Sequence, residues 1–325
     1  CEIRAFDDKG RWRTILSTAQ DGTFAGRLPL GRTDLVAACA GAADGTPIEI
    51  DLTVAGLSGV AVPTTPPSFL EVTARESAEG APVPARASIE SLDAPTTRPR
   101  FLFTGPGTGR FPLAPGNYRI TVSRGPEYET VVQDPVAIVL GETMPLDAVL
   151  PRVVATQGAI AAEFHIHCES SVDSSVPVAD RVAACASEGL EFVVASDHDF
   201  VTDYGPALTA LGLDPYMTSV PGCEVSSVIA GHFQSWPHPV VPEKAGNGAP
   251  TWFGLSPTAL ADMLKTQLPD SIVQVNHPRF GADSTFDIIR FDPADGLAHA
   301  EPVALGFPEG TDLNAMPYDA IEVFN

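Results

Sequence analysis

The sequence predicts a multidomain chain, in which two small all-β sandwiches precede an α/β domain built on a parallel sheet or barrel. Three observations support this prediction. The chain has 325 residues, which is enough for two or three domains of ordinary size. Residues 1–150 show the period of β-strands between Gly/Pro turns, whereas strand and helix patterns alternate from about residue 155. All seven histidines lie at or beyond position 165, so the chemistry is expected in the α/β domain.

The first half of the chain is predicted to form sandwiches at residues 1–62 and 68–150, separated by a proline-rich linker at 63–67. Residues 48–54 and 118–122 alternate apolar and polar side chains, as half-buried strands do. A weak repeat occurs in both segments, with the pattern Gly-x-Phe, then Leu-x-Pro-Gly or a close variant, then a strand. The repeat resembles carboxypeptidase-regulatory-like (transthyretin-like) sandwich domains.

The second half, residues 155–325, shows strands and helices in turn. A helix is predicted after Ser175 and Pro177, and a second helix begins at Ser256 and Pro257, because Ser caps helices and Pro suits the first turn. The predicted strands are residues 161–167, 191–195, 271–275 and 319–324.

The charge composition restricts the kinds of partner. The chain has 41 Asp and Glu against 19 Lys and Arg, a formal net charge of -22. Such an acidic surface repels nucleic acid and anionic membranes, so we expect no nucleic-acid partner. Hydrophobic residues make up 44% of the chain, enough for a buried core, but no run of 18 apolar residues predicts a transmembrane helix.

The cysteines bear on location. Residue 1 is Cys, as in a mature bacterial lipoprotein acylated on its first residue; the alternative is an arbitrary start. We therefore expect a secreted, periplasmic or cell-surface protein. The cysteine count of five is odd, so at least one thiol is free or bonded to another chain. Cys1 and Cys39 could form a disulfide, although the sequence does not fix the pairing.

A metal site is predicted from the placement of histidines and carboxylates. His165 and His167 lie two residues apart on a strand, so both imidazoles project from one face. Further candidate ligands follow the ends of later strands, where barrel folds place their active sites. These ligands are Asp197, His198, Asp199, Glu224, His232 and His277.

The ordered motifs resemble the PHP (polymerase and histidinol phosphatase) superfamily, and within it the CehA/McbA-type metallohydrolases. The motifs are His-x-His at 165–167, Asp-His-Asp at 197–199, Gly-Cys-Glu at 222–224, Gly-His-Phe at 231–233, Asn-His-Pro at 276–278 and Asp-Ala-Ile-Glu-Val-Phe-Asn at 319–325. The resemblance implies a distorted (β/α)7 barrel that holds two or three divalent ions, of Zn, Mn or Fe.

The resemblance also implies a role for each candidate. His165 and His167 would bind the first ion. Glu224 would bridge the first ion and the second, which His232 and His277 would complete. A third ion would take His198 and Asp173. Asp197 would orient a histidine or bind an ion directly, and His198 or Asp199 would move protons.

The sequence departs from this family in one respect. The superfamily ends its site with an Asp-x-His motif on a late strand, and no Asp-x-His follows His277. The last strands of the barrel are therefore expected to be missing from this chain. Three explanations stay open: a cleaved precursor whose remainder binds as a second chain, a piece of a longer protein, or a degenerate relative. Cleavage after Asn325 is one hypothesis.

Two functions follow as expectations. The first is a metal-dependent hydrolase, in which metal-activated water attacks an ester, carbamate, amide or phosphoester of a small-molecule substrate, with Glu224, His198 and Asp199 as its catalytic residues. The alternative is a non-catalytic secreted or cell-surface structural or binding protein with a degenerate or split PHP domain.

Overall fold

Two compact units make up the protein. The computed structural model describes residues 1–95, 98–281 and 284–323. The chain divides into Cys1–Ala155 and Thr156–Asn325. No helix in the described ranges is both long and apolar enough to cross a membrane.

The first unit begins with an antiparallel sheet of four strands in the order β2-β1-β3-β4. These strands are β1 (Glu2–Asp7), β2 (Trp12–Ser17), β3 (Gly31–Ala38) and β4 (Ile48–Leu52). Ile3 and Ala5 of β1 and Leu35 and Ala37 of β3 are buried together. Residues two apart share a face of a strand, so this pattern turns one face of the sheet toward a core.

Seven further strands of the first unit form two sheets, in the orders β10-β9-β6-β7 and β11-β5-β8. They are β5 (Phe69–Arg75), β6 (Arg86–Ser91), β7 (Arg100–Phe103), β8 (Thr108–Pro112), β9 (Gly116–Ser123), β10 (Val131–Ile138) and β11 (Thr143–Val149). The strands expected at 48–54 and 118–122 coincide with β4 and β9. The division into sandwiches at 1–62 and 68–150 stays a prediction.

A disulfide joins Cys1 to Cys39, which are 38 positions apart in sequence. Cys1 directly precedes β1, and Cys39 directly follows β3. The pairing that the sequence left open is therefore present. Acylation of Cys1 would need the same Sγ atom for a thioether, so the lipoprotein hypothesis is incompatible with this bond. Disulfides persist in oxidising compartments and are rare in reducing ones, so this bond is relevant to the location of the protein.

Reduction of this disulfide, or Cys39→Ser, is expected to lower the free energy of unfolding of the first unit by about 3 to 4 kcal/mol. The physical reason is the chain entropy that a closed loop of this length removes from the unfolded state. Urea unfolding with and without a thiol reductant measures the change. Equal midpoints under both conditions would contradict the prediction.

The second unit contains mixed strands and short helices. A three-stranded parallel sheet has the order β12-β13-β14, a four-stranded sheet has the order β15-β16-β17-β20, and β18 pairs with β19. Its strands are β12 (Ala162–Ile166), β13 (Phe192–Ala195), β14 (Thr218–Pro221), β15 (Cys223–Ser227), β16 (Gly231–Trp236), β17 (Ile272–Val275), β18 (Phe291–Asp292), β19 (Leu297–Ala298) and β20 (Ala320–Ile321). Its α-helices are α1 (Val178–Ser187), α2 (Gly205–Ala210), α3 (Pro257–Gln267) and α4 (Thr285–Ile288).

The helix start predicted at Ser256 is confirmed. Its hydroxyl accepts a hydrogen bond from the backbone N–H of Ala259 at 3.2 Å, and Pro257 occupies the first turn. Leu260 and Leu264 then lie one turn apart on the buried face of α3. The other predicted helix begins at Val178, after Pro177, without a side-chain cap.

The prediction of a distorted (β/α)7 barrel is wrong. Strands β15, β16 and β17 run antiparallel, and the strands of the described ranges do not close into one barrel. The reason lies in the connection between β15 and β16, which consists of residues 228–230 alone. A parallel pair needs a crossover of a dozen or more residues, so this short link permits only a hairpin. The last predicted strand, 319–324, is limited to Ala320–Ile321, and Phe324 and Asn325 lie outside the described residues.

Candidate metal centre

The Glu224 carboxylate lies at the centre of a cluster of histidines in the second unit. It is fully buried. The nitrogens nearest its Oε2 atom are His165 Nε2 at 3.1 Å, His167 Nε2 at 3.0 Å and His198 Nδ1 at 3.1 Å. Those nearest its Oε1 atom are Asn276 Nδ2 at 2.9 Å, His232 Nδ1 at 3.2 Å and His277 Nε2 at 3.2 Å. Five of the seven histidines thus converge on one carboxylate.

The cluster forms because strand ends from both sheets meet. His165 lies in β12, and His167 follows that strand by one residue. His198 follows β13, Glu224 and His232 lie in β15 and β16, and His277 follows β17. Two backbone hydrogen bonds join the segment after β13 to the start of β15. Glu224 N–H donates to Asp197 O at 3.2 Å, and Asp199 N–H donates to Glu224 O at 2.9 Å.

Gly231 places His232 at the start of β16. Its φ is +83°, and a Cβ atom there would lie 2.1 Å from Thr285 Oγ1 and 2.6 Å from the Thr285 backbone nitrogen. Any larger residue would therefore displace the start of β16, and His232 with it, away from Glu224.

Asp173 adds a second carboxylate to the cluster. Both of its oxygens lie 3.0 Å from His167 Nδ1, and Oδ2 is 3.5 Å from His198 Nε2. Burial alone would raise the pKa of Asp173, but hydrogen bonds from Ser171 and His167 outweigh burial and hold the pKa at about 2. Asp173 is therefore an anion next to two imidazoles, although it is half exposed.

The electrostatics of the cluster follow from the packing of imidazoles against carboxylates. Burial would raise the pKa of Glu224, but the surrounding imidazoles outweigh burial and hold the pKa far below its ordinary range. Burial lowers the pKa of His198, while the carboxylates outweigh burial at His165 and raise its pKa to about 10. In the protein without metal, protons thus compete for the same nitrogens that would bind an ion.

The donor set fits divalent metal ions. Glu224 Oε2 and His167 Nε2 are both buried, lie 3.0 Å apart, and have no hydrogen-bond partner. Two buried atoms that can both donate an electron pair, and that face one space, suit a cation. Within this cluster, three groups of residues bring their ligand atoms within 4.8 Å of one another: His165, His167 and Glu224; His167, Asp173 and His198; and His198, Glu224 and His232. Imidazole with carboxylate suits Zn, Mn or Fe.

Asp197 and Asp199 lie beside the cluster and bond elsewhere. Asp197 is buried and accepts hydrogen bonds from the Cys168 backbone N–H at 2.6 Å, from Cys168 Sγ at 3.0 Å and from the Thr202 hydroxyl. Asp199 has a left-handed φ of 49° and accepts from Trp252 Nε1 at 3.1 Å. No described contact joins either carboxylate to a histidine of the cluster. Their direct roles at a metal stay predictions, and the contacts favour structural ones.

Two residues of the cluster were missed by the sequence reasoning. Asn276 donates to Glu224 Oε1 and to Gln234 Oε1, at 2.9 and 3.2 Å. Glu322 lies 3.1 and 3.2 Å from His165 Nδ1 through its two oxygens. Glu322 directly follows β20, but the predicted strand at 319–324 had placed it inside a strand.

Comparisons with known proteins give few relatives. No family model and no curated protein matches the chain. Among solved structures, the Bacillus anthracis TIE protein is 16% identical over 46% of this chain and 30% of that chain, with a TM-score of 0.21. A streptococcal ancillary pilin is 15% identical over 47% and 57%, with a TM-score of 0.25. The pilin subunit BcpA of Bacillus cereus is 12% identical over 47% and 55%, with a TM-score of 0.23.

The chain thus spans less than two thirds of each of these proteins, and TM-scores this low assign no fold to it. The prediction that the chain belongs to the PHP superfamily, as a CehA/McbA-type enzyme with carboxypeptidase-regulatory-like domains, is nevertheless wrong. No family model matches the chain, and the described strands form no barrel, because β15, β16 and β17 pair antiparallel.

The prediction of a hydrolase is wrong as well, because it rested on that resemblance and on the barrel that the resemblance implied. The expectation of a small-molecule substrate depended on the same family resemblance. Glu224, His198 and Asp199 are therefore assigned no catalytic role. The metal-ligand roles of the histidines, Asp173 and Glu224 are not affected by this correction and stay predictions.

Asp197→Asn is expected to lower the free energy of unfolding by about 1 to 3 kcal/mol while metal content per folded chain stays at the wild-type value. An amide can accept hydrogen bonds at only one of the two oxygen positions, so a buried donor of Cys168 or Thr202 loses its partner. Urea unfolding and elemental analysis measure the two quantities. Asp262→Asn, an exposed change on α3, is the control. Loss of metal at unchanged stability would instead indicate that Asp197 binds an ion.

Proposed function

We propose that this chain is a non-catalytic, secreted or cell-surface protein whose second unit is held together by a centre of two or three divalent metal ions. The observation that carries the proposal is the buried Glu224 carboxylate with five imidazoles around it. The centre would have a structural or binding role, and the partners of the protein would be other proteins.

Charge balance supports metal at this centre. Asp173, Glu224 and Glu322 are three carboxylates whose pKa values all lie below the ordinary range, so they contribute three negative charges. Buried charges are costly unless they are paired or coordinate metals. Two divalent ions would bring four positive charges to these three negative ones, and the imidazoles would bind the ions in their neutral form.

A location outside the cytoplasm is supported by the Cys1–Cys39 disulfide, since such bonds are rare in reducing compartments. The net charge of -22 keeps an exposed protein soluble and disfavours nucleic acid as a partner. Both features fit a protein that works at a surface or in an extracellular medium.

The first test is metal content. Elemental analysis of the purified wild-type chain is expected to find two or three divalent ions, and His165→Ala is expected to bind at least one ion fewer. The matched control is His238→Gln, because His238 is a buried histidine outside the cluster. A wild-type chain with no bound metal, or His165→Ala with full occupancy, would refute the proposal or the ligand assignment respectively.

The second test concerns the non-catalytic part of the proposal. The metal-loaded chain is expected not to hydrolyse p-nitrophenyl phosphate, p-nitrophenyl acetate or a 1-naphthyl carbamate above the rate of the free metal. A metal-dependent rate that disappears in Glu224→Gln would contradict the proposal.

Removal of metal by a chelator is expected to lower the unfolding temperature of the second unit and leave that of the first unit unchanged. An ion held at a free concentration 100 times its dissociation constant stabilises the folded state by about 2.7 kcal/mol. Differential scanning calorimetry with and without EDTA measures this difference. Equal destabilisation of both units would argue against a centre confined to residues 156–325.

A further inference from the structure

Glu322 makes the contacts expected of a residue that orients metal ligands. It directly follows β20, and its carboxylate is about nine-tenths buried, with 11% of the side chain exposed. Oε1 and Oε2 lie 3.1 and 3.2 Å from His165 Nδ1. Oε2 also accepts a hydrogen bond from the His277 backbone N–H at 2.7 Å. One carboxylate therefore contacts two histidines of the cluster without contacting Glu224.

The contact between Glu322 and His165 determines which ring nitrogen of His165 has a lone pair available for a metal ion. Both oxygens of Glu322 face His165 Nδ1, and Oε2 also accepts from a backbone N–H, so the carboxylate is the acceptor and His165 Nδ1 is the donor. In the neutral ring the lone pair then lies on Nε2, which is the atom 3.1 Å from Glu224 Oε2. A carboxylate behind a metal-binding imidazole also makes that imidazole a better donor.

The contact at His277 fixes a backbone conformation. His277 has a φ of 25°, in the left-handed region that residues other than glycine rarely adopt. Its N–H is held by Glu322, and its Nε2 is turned toward Glu224 Oε1 at 3.2 Å. His165 comes from the parallel sheet and His277 from the end of β17, so Glu322 ties together ligands from two sheets.

We propose that Glu322 is the positioning residue of this centre, which holds His165 with Nε2 directed to the metal and fixes the backbone that presents His277. This inference rests on the proposed metal-binding function. It differs from the predicted ligand set, in which the last strand contributes no group.

The experiment compares Zn²⁺ affinity among wild type, Glu322→Ala, Glu322→Gln and the control Glu309→Ala, by competition with a chromophoric chelator. Glu309 is an exposed glutamate of the same unit. Glu322→Ala is expected to weaken the binding of one ion by about 10 to 100-fold. Glu322→Gln keeps an acceptor but loses the charge, so its affinity should fall between those of Glu322→Ala and wild type. Affinities of both variants equal to that of Glu309→Ala would overturn the inference.

A second measurement needs no variant. Long-range ¹H–¹⁵N correlation spectra of the Zn²⁺-loaded wild-type protein should show His165 protonated at Nδ1 and metal-bound at Nε2. The opposite pattern would overturn the inference even if Glu322→Ala failed to fold. Failure of the wild type to bind Zn²⁺ would refute the proposed function itself, whereas wild-type binding that is indifferent to Glu322 would refute only the role of this residue.

Discussion

The second unit depends on how the buried charge of Glu224 is compensated. Its carboxylate is excluded from water, and an isolated carboxylate in such a position would be strongly destabilising. The chain surrounds it with imidazoles and one amide, but Oε2 still lacks a hydrogen-bond partner. Protons on the histidines would compensate the charges of Glu224, Asp173 and Glu322 only in part, because burial opposes the charged imidazole, as the lowered pKa of His198 shows. Metal ions would compensate all three charges and satisfy the open lone pairs.

The route of the chain explains how so many ligands reach one point. Parallel strands β12 and β13 deliver His165, His167 and His198 at their carboxyl ends. The antiparallel strands β15 and β16 are paired so that Ser226 lies opposite His232, which places the His232 and Glu224 side chains on the same face, two positions apart in register. In a barrel, a further βα-crossover would bring the next ligands to the cluster. In this unit the β15–β16 hairpin brings Glu224 and His232 there, and the ligand cluster forms without a closed sheet.

The sequence was informative about chemistry and less so about topology. Period-2 spacing correctly placed His165 and His167 side by side, and the rule that ligands follow strand ends correctly placed His198 and His277. Glu224 and His232 join the same cluster, but each lies near the start of its strand. The same rule missed Glu322, because the predicted strand at 319–324 includes this residue, whereas β20 ends at Ile321. Strand direction could not be derived from these patterns, because a short apolar run looks alike in parallel and antiparallel sheets. The parallel direction predicted for the strands came from the family resemblance. The barrel and the hydrolase came from the same resemblance, and both of these predictions were wrong. The contacts of Asp197 with Cys168 and Thr202 were also beyond prediction, since residues 29 and 5 positions away meet only in the fold.

The central claim is that divalent ions occupy the space around Glu224. Anomalous X-ray diffraction from crystals of the wild-type chain grown with Mn²⁺ or Zn²⁺, recorded above and below the absorption edge of the metal, tests this claim most directly. The account predicts at least two anomalous peaks bounded by the imidazoles of the cluster, with Glu224 next to both. An ordered cluster that shows no peak at saturating metal, with the imidazoles hydrogen bonded directly to the carboxylates, would contradict it.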